Sequence, residues 1–164
     1  MKKKLITAIV LVGILATPSA NAVSLTAAQK GKLQYLVEEE KLARDVYGYF
    51  STKVTTQRFS NIVKSEQTHM DQISNLLASY NISNPTVGKA AGEFKNKSLA
   101  NLYKKLISEG STSTIAAFGV GVKVEKMDLA DLKSIRKLFS QSDILAGLDL
   151  LEKGSQNHLA AFVR

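Results

Sequence analysis

From Thr26 onward the apolar residues recur at intervals of three and four, the spacing of one face of an α-helix. Thr26 and Gln29 are spaced as a capping box, and the first helix is expected to run to about Lys53. Thr55-Thr56 offers caps for a second helix striped by Phe59, Ile62, Val63, Met70, Ile73, Leu77 and Tyr80. The turn formers Asn81, Asn84-Pro85, Gly88, Gly92 and Asn96 end that pattern. A short helix is expected from Ser98 to Glu109, stopping at Gly110. A third long pattern runs from about Thr112 to Phe139, with Ile115, Phe118, Val122, Leu129 and Leu132 on one side, weakened by Gly119 and Gly121. Ser142 is expected to cap a fourth, which carries Ile144, Leu148, Leu151 and Phe162. No alternating run is long enough to suggest a strand.

The expected fold class is therefore all-α. Four long helices, two tight connections and one crossover of about thirty residues, holding the short helix between the second and third, describe a four-helix bundle of ferritin-like connectivity. At 100° per residue, polar side chains can be placed against each apolar stripe. With Leu33 as zero, Glu40 lies about −20° away, in mid-stripe, whereas Glu38 and Glu39 point well away and read as solvated surface charge. With Phe59 as zero, Glu66 lies at about −20° and His69 at about −80°. With Ile115 as zero, Glu125 lies at about −80°, and from Ile144 Ser155 lies at about +20° and His158 at about −40°. Each of the four long helices thus carries a metal-ligand type of side chain, or its Ser155 substitute, inside its stripe. Converging buried carboxylates repel one another unless a cation compensates. Glu66-Gln67-Thr68-His69 is a Glu-x-x-His pair, which sets two ligands side by side on one ion. Ser155-Gln156-Asn157-His158 repeats the pattern at the histidine and lacks the carboxylate.

Composition narrows the setting. The 164 residues carry 22 Lys plus Arg against 14 Asp plus Glu, a net charge of +8, with two His and no Cys. That length allows one ordinary domain. The absence of Cys excludes a disulfide scaffold, thiolate metal sites and cysteine nucleophiles. Lys2, Lys3 and Lys4 precede an apolar run from Leu5 to Ala16, then Pro18 and Ala20-Asn21-Ala22. This is the layout of a secretory signal peptide over residues 1–22, cleaved after Ala22, and the apolar run falls short of the ~20 residues needed to span a bilayer. The expected mature domain is 23–164, exported to the periplasm or secreted. Loss of the three lysines lowers the charge from +8 to +5, spread along the chain, so neither nucleic acid nor, after cleavage, a membrane is expected as a partner.

Four runs carry a resemblance. Glu38-Glu39-Glu40-Lys41-Leu42-Ala43-Arg44-Asp45-Val46-Tyr47, Ser65-Glu66-Gln67-Thr68-His69-Met70, Val124-Glu125-Lys126-Met127-Asp128 and Gly154-Ser155-Gln156-Asn157-His158-Leu159 resemble the uncharacterised ferritin-like family DUF2202, over roughly Leu33 to Arg164. Glu40 through Phe50 is also similar to the first helix of rubrerythrins, where a Glu three residues before an Ala-Arg pair binds iron. The resemblance implies a carboxylate bundle with Glu40, Glu66, His69, Glu125 and His158 at the matching positions, and no known activity. Ser155 stands where a bridging Glu is expected.

The functional expectation is an exported metal-binding bundle holding one or two transition ions on Glu40, Glu66, His69, Glu125 and His158. Carboxylate and imidazole donors without thiolate suit iron first, with manganese or zinc as alternatives. Iron would bring dioxygen or peroxide as reactants, in an oxidase, ferroxidase or peroxide-handling role. The alternative is a non-catalytic bundle with a structural single-metal site or a partner-binding role. Pairing of subunits, catalytic residues and substrate stay open. Asp128 is expected near the ligands rather than among them, Tyr47 as packing, with a hydrogen bond to a ligand or a radical role as the alternative, and Arg44 as a partner for an unbridged carboxylate.

Overall fold

The structure, a computed structural model, describes residues 24–164. The expected signal peptide lies outside the described residues. Five helices and no strand occur among them: α1 (Ala27–Ser51), α2 (Gln57–Ser79), α3 (Lys97–Gly110), α4 (Thr114–Arg136) and α5 (Ser142–Phe162). No helix among them is long and apolar enough to cross a membrane.

Local chemistry sets most of the boundaries. Thr26 and Gln29 close the capping box reciprocally at the start of α1. Thr56 caps α2, Asn96 caps α3 by accepting from the Ser98 and Leu99 amides, and Ser113 caps α4 by accepting from Ala116. At the end of α2 the Ile82 amide returns to the Leu77 carbonyl and the Asn81 amide to Ala78, with Asn81 at φ 54. That is a Schellman stop with asparagine in the left-handed position. At α5 Ser142 is the first helical residue, and Gln141 holds the cap position with no side-chain bond.

α1 packs on α2 and α4, and α5 packs on the same two helices, while α3 lies against α1 and α4. Two apolar clusters divide the interior lengthwise. One joins Leu33, Leu36, Val37, Ile73, Leu77, Leu132, Ile135, Ile144, Leu148 and Leu151. The other joins Leu42, Val46, Tyr47, Phe50, Phe59, Ile62, Leu106, Ala117, Val120 and Phe162. The first half of α1 and of α5 therefore meets the second half of α2 and of α4, so α1 and α5 run one way and α2 and α4 the other. Between the clusters sits a polar layer.

Two expectations fail here. Glu38 and Glu39 are buried, and the Ile115 chosen as the reference for α4 is 84% exposed. The α4 core is Ala117, Val120, Gly121, Val124, Asp128, Leu132 and Ile135. A single apolar stripe describes a helix covered on one side, but α1 is covered by α2, α3 and α4, so nearly every residue from Leu36 to Val46 is buried whatever its polarity. Glu38 is satisfied there by the Lys95 and Asn96 amides ahead of α3. Lys41, also buried, donates to Asp45 and to the Ala90 carbonyl and lies 4.7 Å from the centre of the Phe94 ring. These contacts pin the 81–96 segment against α1.

Gly121 does not break α4, because it makes room: a Cβ there would lie 2.7 Å from the Phe162 ring. Gly121→Val is expected to cost about 1–3 kcal/mol by overpacking. Gly119→Ala, at a position with nothing within 4 Å, is expected to gain up to about 1 kcal/mol from helix propensity. Urea unfolding of the two variants checks both signs.

Candidate metal centre

Each long helix delivers its polar residues to the layer between the clusters. α1 gives Glu39 and Glu40, α2 gives Glu66 and His69, α4 gives Glu125 and Asp128, and α5 gives Ser155 and His158, all buried. The five expected ligand positions fall into two groups that share one residue: Glu40, Glu66 and His69, and Glu66, Glu125 and His158, each with one donor atom per residue within 4.8 Å of the others.

His69 Nδ1 lies 3.2 Å from Glu40 Oε2 and 2.9 Å from Glu66 Oε2. His158 Nδ1 lies 2.9 Å from Glu66 Oε1 and 3.5 Å from Glu125 Oε1. Glu66 therefore turns one oxygen to each imidazole. The second set is not aligned for hydrogen bonding, since Glu66 Oε1 and His158 Nδ1, like Glu40 Oε1, lack any such partner. Two donors bound to one ion at about 2.1 Å stand about 3.0–3.4 Å apart. The observed separations of 2.9–3.5 Å bracket that spacing, and hydrogen bonds close the set around His69 but not the set around His158. The donor set fits a first-row cation.

The surrounding contacts orient these groups. His158 Nε2 sits 2.9 Å from Ser65 Oγ, so a proton on Nε2 donated to that hydroxyl leaves Nδ1 free to ligate. Tyr47, expected as packing, also donates its hydroxyl to Glu125 Oε1 at 2.6 Å. Ser155 donates to Asp128 or to the Leu151 carbonyl, so the serine draws a carboxylate from α4 toward its own position. Arg44 does not join the layer. It donates to Asp45 and to Gln67, at the edge of the α1–α2 contact.

Glu39 and Gly154 escaped the sequence reading, which expects Asp128 near the ligands. Glu39 and Asp128 border the layer with an unpartnered oxygen each, and Gly154 admits the His69 ring, since a Cβ there would lie 2.3 Å from Nε2. The signal for Gly154 is its position inside an otherwise good helix, where glycine costs about 1 kcal/mol without a packing reason. The cavity bordered by Glu39, Glu40, Glu66, Glu125, Asp128 and Ser155 is about 10 Å³, room for about one water or one ion.

Electrostatics follow from burial. Burial alone would raise the Glu66 carboxyl, but the two imidazoles it faces override that and hold it at about 2. Burial pushes Glu125 and Asp128 up to about 7, partly offset by His158 for the first and by Ser155 for the second. Glu39 and Glu40 are also raised, chiefly by burial and then by the Asp128 charge. For the histidines burial works downward, yet the facing carboxylates raise His69 to about 10 and His158 to about 9.

An all-helical protein with a buried carboxylate and imidazole layer is the class that fold and site define. The model of the family described as uncharacterized protein domain DUF2202 matches residues 29–164, and the chain belongs to that family. The uncharacterized protein MJ0754 of Methanocaldococcus jannaschii is 44% identical over 136 residues, which cover 83% of this chain and 74% of that protein. The crystal structure of hypothetical protein MJ0754 from Methanococcus jannaschii matches with a TM-score of 0.83 at 43% identity, covering 85% of this chain and 80% of the other.

The pH dependence of the metal-free fold has a definite sign. Glu125, Asp128, His69 and His158 all bind protons more tightly folded than unfolded. Their stabilisation is complete below their ordinary values and is lost from about pH 4 to 7 for the two carboxyls and from 6.5 to about 10 for the histidines. Glu66 acts oppositely, losing its contribution as pH falls from 4.5 to about 2. Thermal unfolding in chelator is expected to show the highest Tm near pH 4–5 and a decline to pH 9. A Tm that is flat or rising over that interval would contradict this balance.

Proposed function

We propose that this chain is a ferritin-like four-helix bundle that binds one or two divalent first-row ions in its polar layer, with Glu40, Glu66 and His69 holding one and Glu66, Glu125 and His158 the other. The observation that carries the reading is the pair of donor groups hinged on Glu66, bare of any ion-paired Lys or Arg among the described residues. The common direction of α2 and α4 supports a long crossover carrying α3 between them. Carboxylate and imidazole donors suit iron first and equally admit manganese or zinc. With iron bound, the ion would supply electrons to dioxygen or peroxide, making the protein an oxidase, ferroxidase or peroxide-handling protein. The chain's own part is to fix the donors: Ser65 orients His158, Tyr47 holds Glu125, and the cavity of about 10 Å³ keeps out larger reactants. The charged and apolar pattern of residues 2–22 supports export.

Ser155 favours a second reading, a single structural ion without turnover, because α5 brings one metal-ligand donor, His158, to the layer instead of two. Fe(II) added in air separates them: oxygen uptake beyond that of free iron supports the redox role, and none supports the structural one.

Binding itself is tested by counting ions. Anaerobic reconstitution with Fe(II), Mn(II) or Zn(II) is expected to give up to two ions per chain and to raise Tm, since the ion binds the native state alone. Glu66→Gln is expected to remove most binding at both positions, whereas His69→Ala and His158→Ala each weaken one. Unchanged metal content in Glu66→Gln would sink the proposal.

A further inference from the structure

A centre sealed between two apolar clusters needs a way in. Lengthwise the Leu and Ile cluster closes one end and the Phe cluster the other. Sideways, the His69 ring lies against Gly154 and His158 meets Ser65, filling the contact of α2 with α5. Arg44 reaches Gln67 across the contact of α1 with α2, and Ser155 reaches Asp128 across the contact of α4 with α5. α3 lies against both α1 and α4, from its cap Asn96 beside Glu38 to Gly110 against Phe50. Short of Asn96, along the contact of α1 with α4, the side chains are Tyr35, Glu39, Asp128 and Asp131.

We propose that Asp131, Glu39 and Asp128 form the path by which a divalent cation enters the buried centre, with Glu39 and Asp128 as its inner station. The inference rests on the metal-centre reading and adds how that centre is filled.

Asp131 is half-buried and marks the outer end, where the Tyr35 hydroxyl donates to its Oδ2 at 2.9 Å and stands 3.4 Å from Glu39 Oε1. Glu39 is 2% exposed and Asp128 5%. Glu39 Oε2 and Asp128 Oδ1 have no hydrogen-bond partner, and both residues line the small cavity with Glu40, Glu66 and Glu125. Among the described residues no Lys, Arg or His forms an ion pair with any of the three. An unpaired buried carboxyl is costly, and packing would be served better by an amide or an apolar residue. Carboxyl oxygens strung inward suit a cation that must shed water to fit a cavity of about 10 Å³, because each step replaces water with an oxygen donor. A run of one charge sign between low-dielectric walls also concentrates cations at its mouth.

The test is the rate of Co(II) uptake by the purified protein, followed by stopped-flow absorbance, with the ions bound at completion counted by elemental analysis. Asp131→Asn keeps the side-chain shape and removes the outer charge, and Asp131→Lys places a positive charge there. Both variants are expected to slow uptake by about tenfold or more while the final ion count matches wild type. Added salt should narrow the gap for Asp131→Lys. Wild-type rates in both variants would overturn the path and leave the centre standing. A lowered final count at an unchanged rate would also overturn it, assigning Asp131 to the centre itself. A wild-type protein that takes up no Co(II), Fe(II), Mn(II) or Zn(II) would overturn the centre and the path together. Should Asp131→Lys fail to fold by circular dichroism, Asp131→Asn alone decides.

Discussion

Five carboxyls and two imidazoles share one buried layer, and no lysine or arginine among the described residues neutralises them there. Burying even one ionised carboxylate without a counter-charge costs several kcal/mol. Without metal the layer can balance only by holding protons, which is why its acids Glu39, Glu40, Glu125 and Asp128 and both histidines are shifted upward and only Glu66, between the imidazoles, is shifted down. On the proposed reading a divalent cation would substitute for those protons at the same place. Metal affinity and proton affinity are then two readings of one electrostatic demand.

The rest of the architecture is arranged around that layer. The two apolar clusters supply the burial that the layer cannot, one from Leu and Ile, the other from stacked and tilted aromatics such as Phe59 on Phe118 and Tyr47 on Phe162. Small residues are spent where rings must fit: Gly121 under Phe162, Gly110 against Phe50 and Gly154 against His69. The segment between α2 and α4 is tied down from α1 by Glu38, Lys41 and Asp45, so charge on that helix serves structure on one side and the candidate site on another. Three consecutive glutamates thus have three environments. Glu38 meets backbone amides, Glu39 faces Tyr35 with one oxygen and has no hydrogen-bond partner for the other, and Glu40 faces His69.

Much of this was legible in the sequence, because caps and periodicity are local. Thr26 with Gln29, Thr56, Asn81 and Gly110 mark ends that the structure places within a few residues of expectation. The positions Glu40, Glu66, His69, Glu125 and His158 came out because each lies in or beside a stripe that faces the interior. What stayed hidden depends on which sides of a helix are covered. Glu39 lies off the Leu33 stripe, and Asp128, legible as a neighbour of the ligands, lies too far from the Ile115 one for its place in the layer to show; α1 is enclosed on several sides and the true centre of α4 runs through Val124 and Leu132. Glu125 survived the misplaced reference because it lies on the flank common to both readings. The hydrogen bond from Ser155 to Asp128 joins residues on different helices, and no spacing rule reaches across that gap.

The central claim is that cations, rather than hydrogen bonds alone, complete the layer. Anomalous diffraction from crystals of the protein loaded with Mn(II) or Zn(II) tests it most directly. The account predicts metal peaks in the polar layer, one coordinated by Glu40, Glu66 and His69 and a second, where occupied, by Glu66, Glu125 and His158. Side chains closed on one another by hydrogen bonds, with no anomalous peak within the layer at saturating metal, would contradict it.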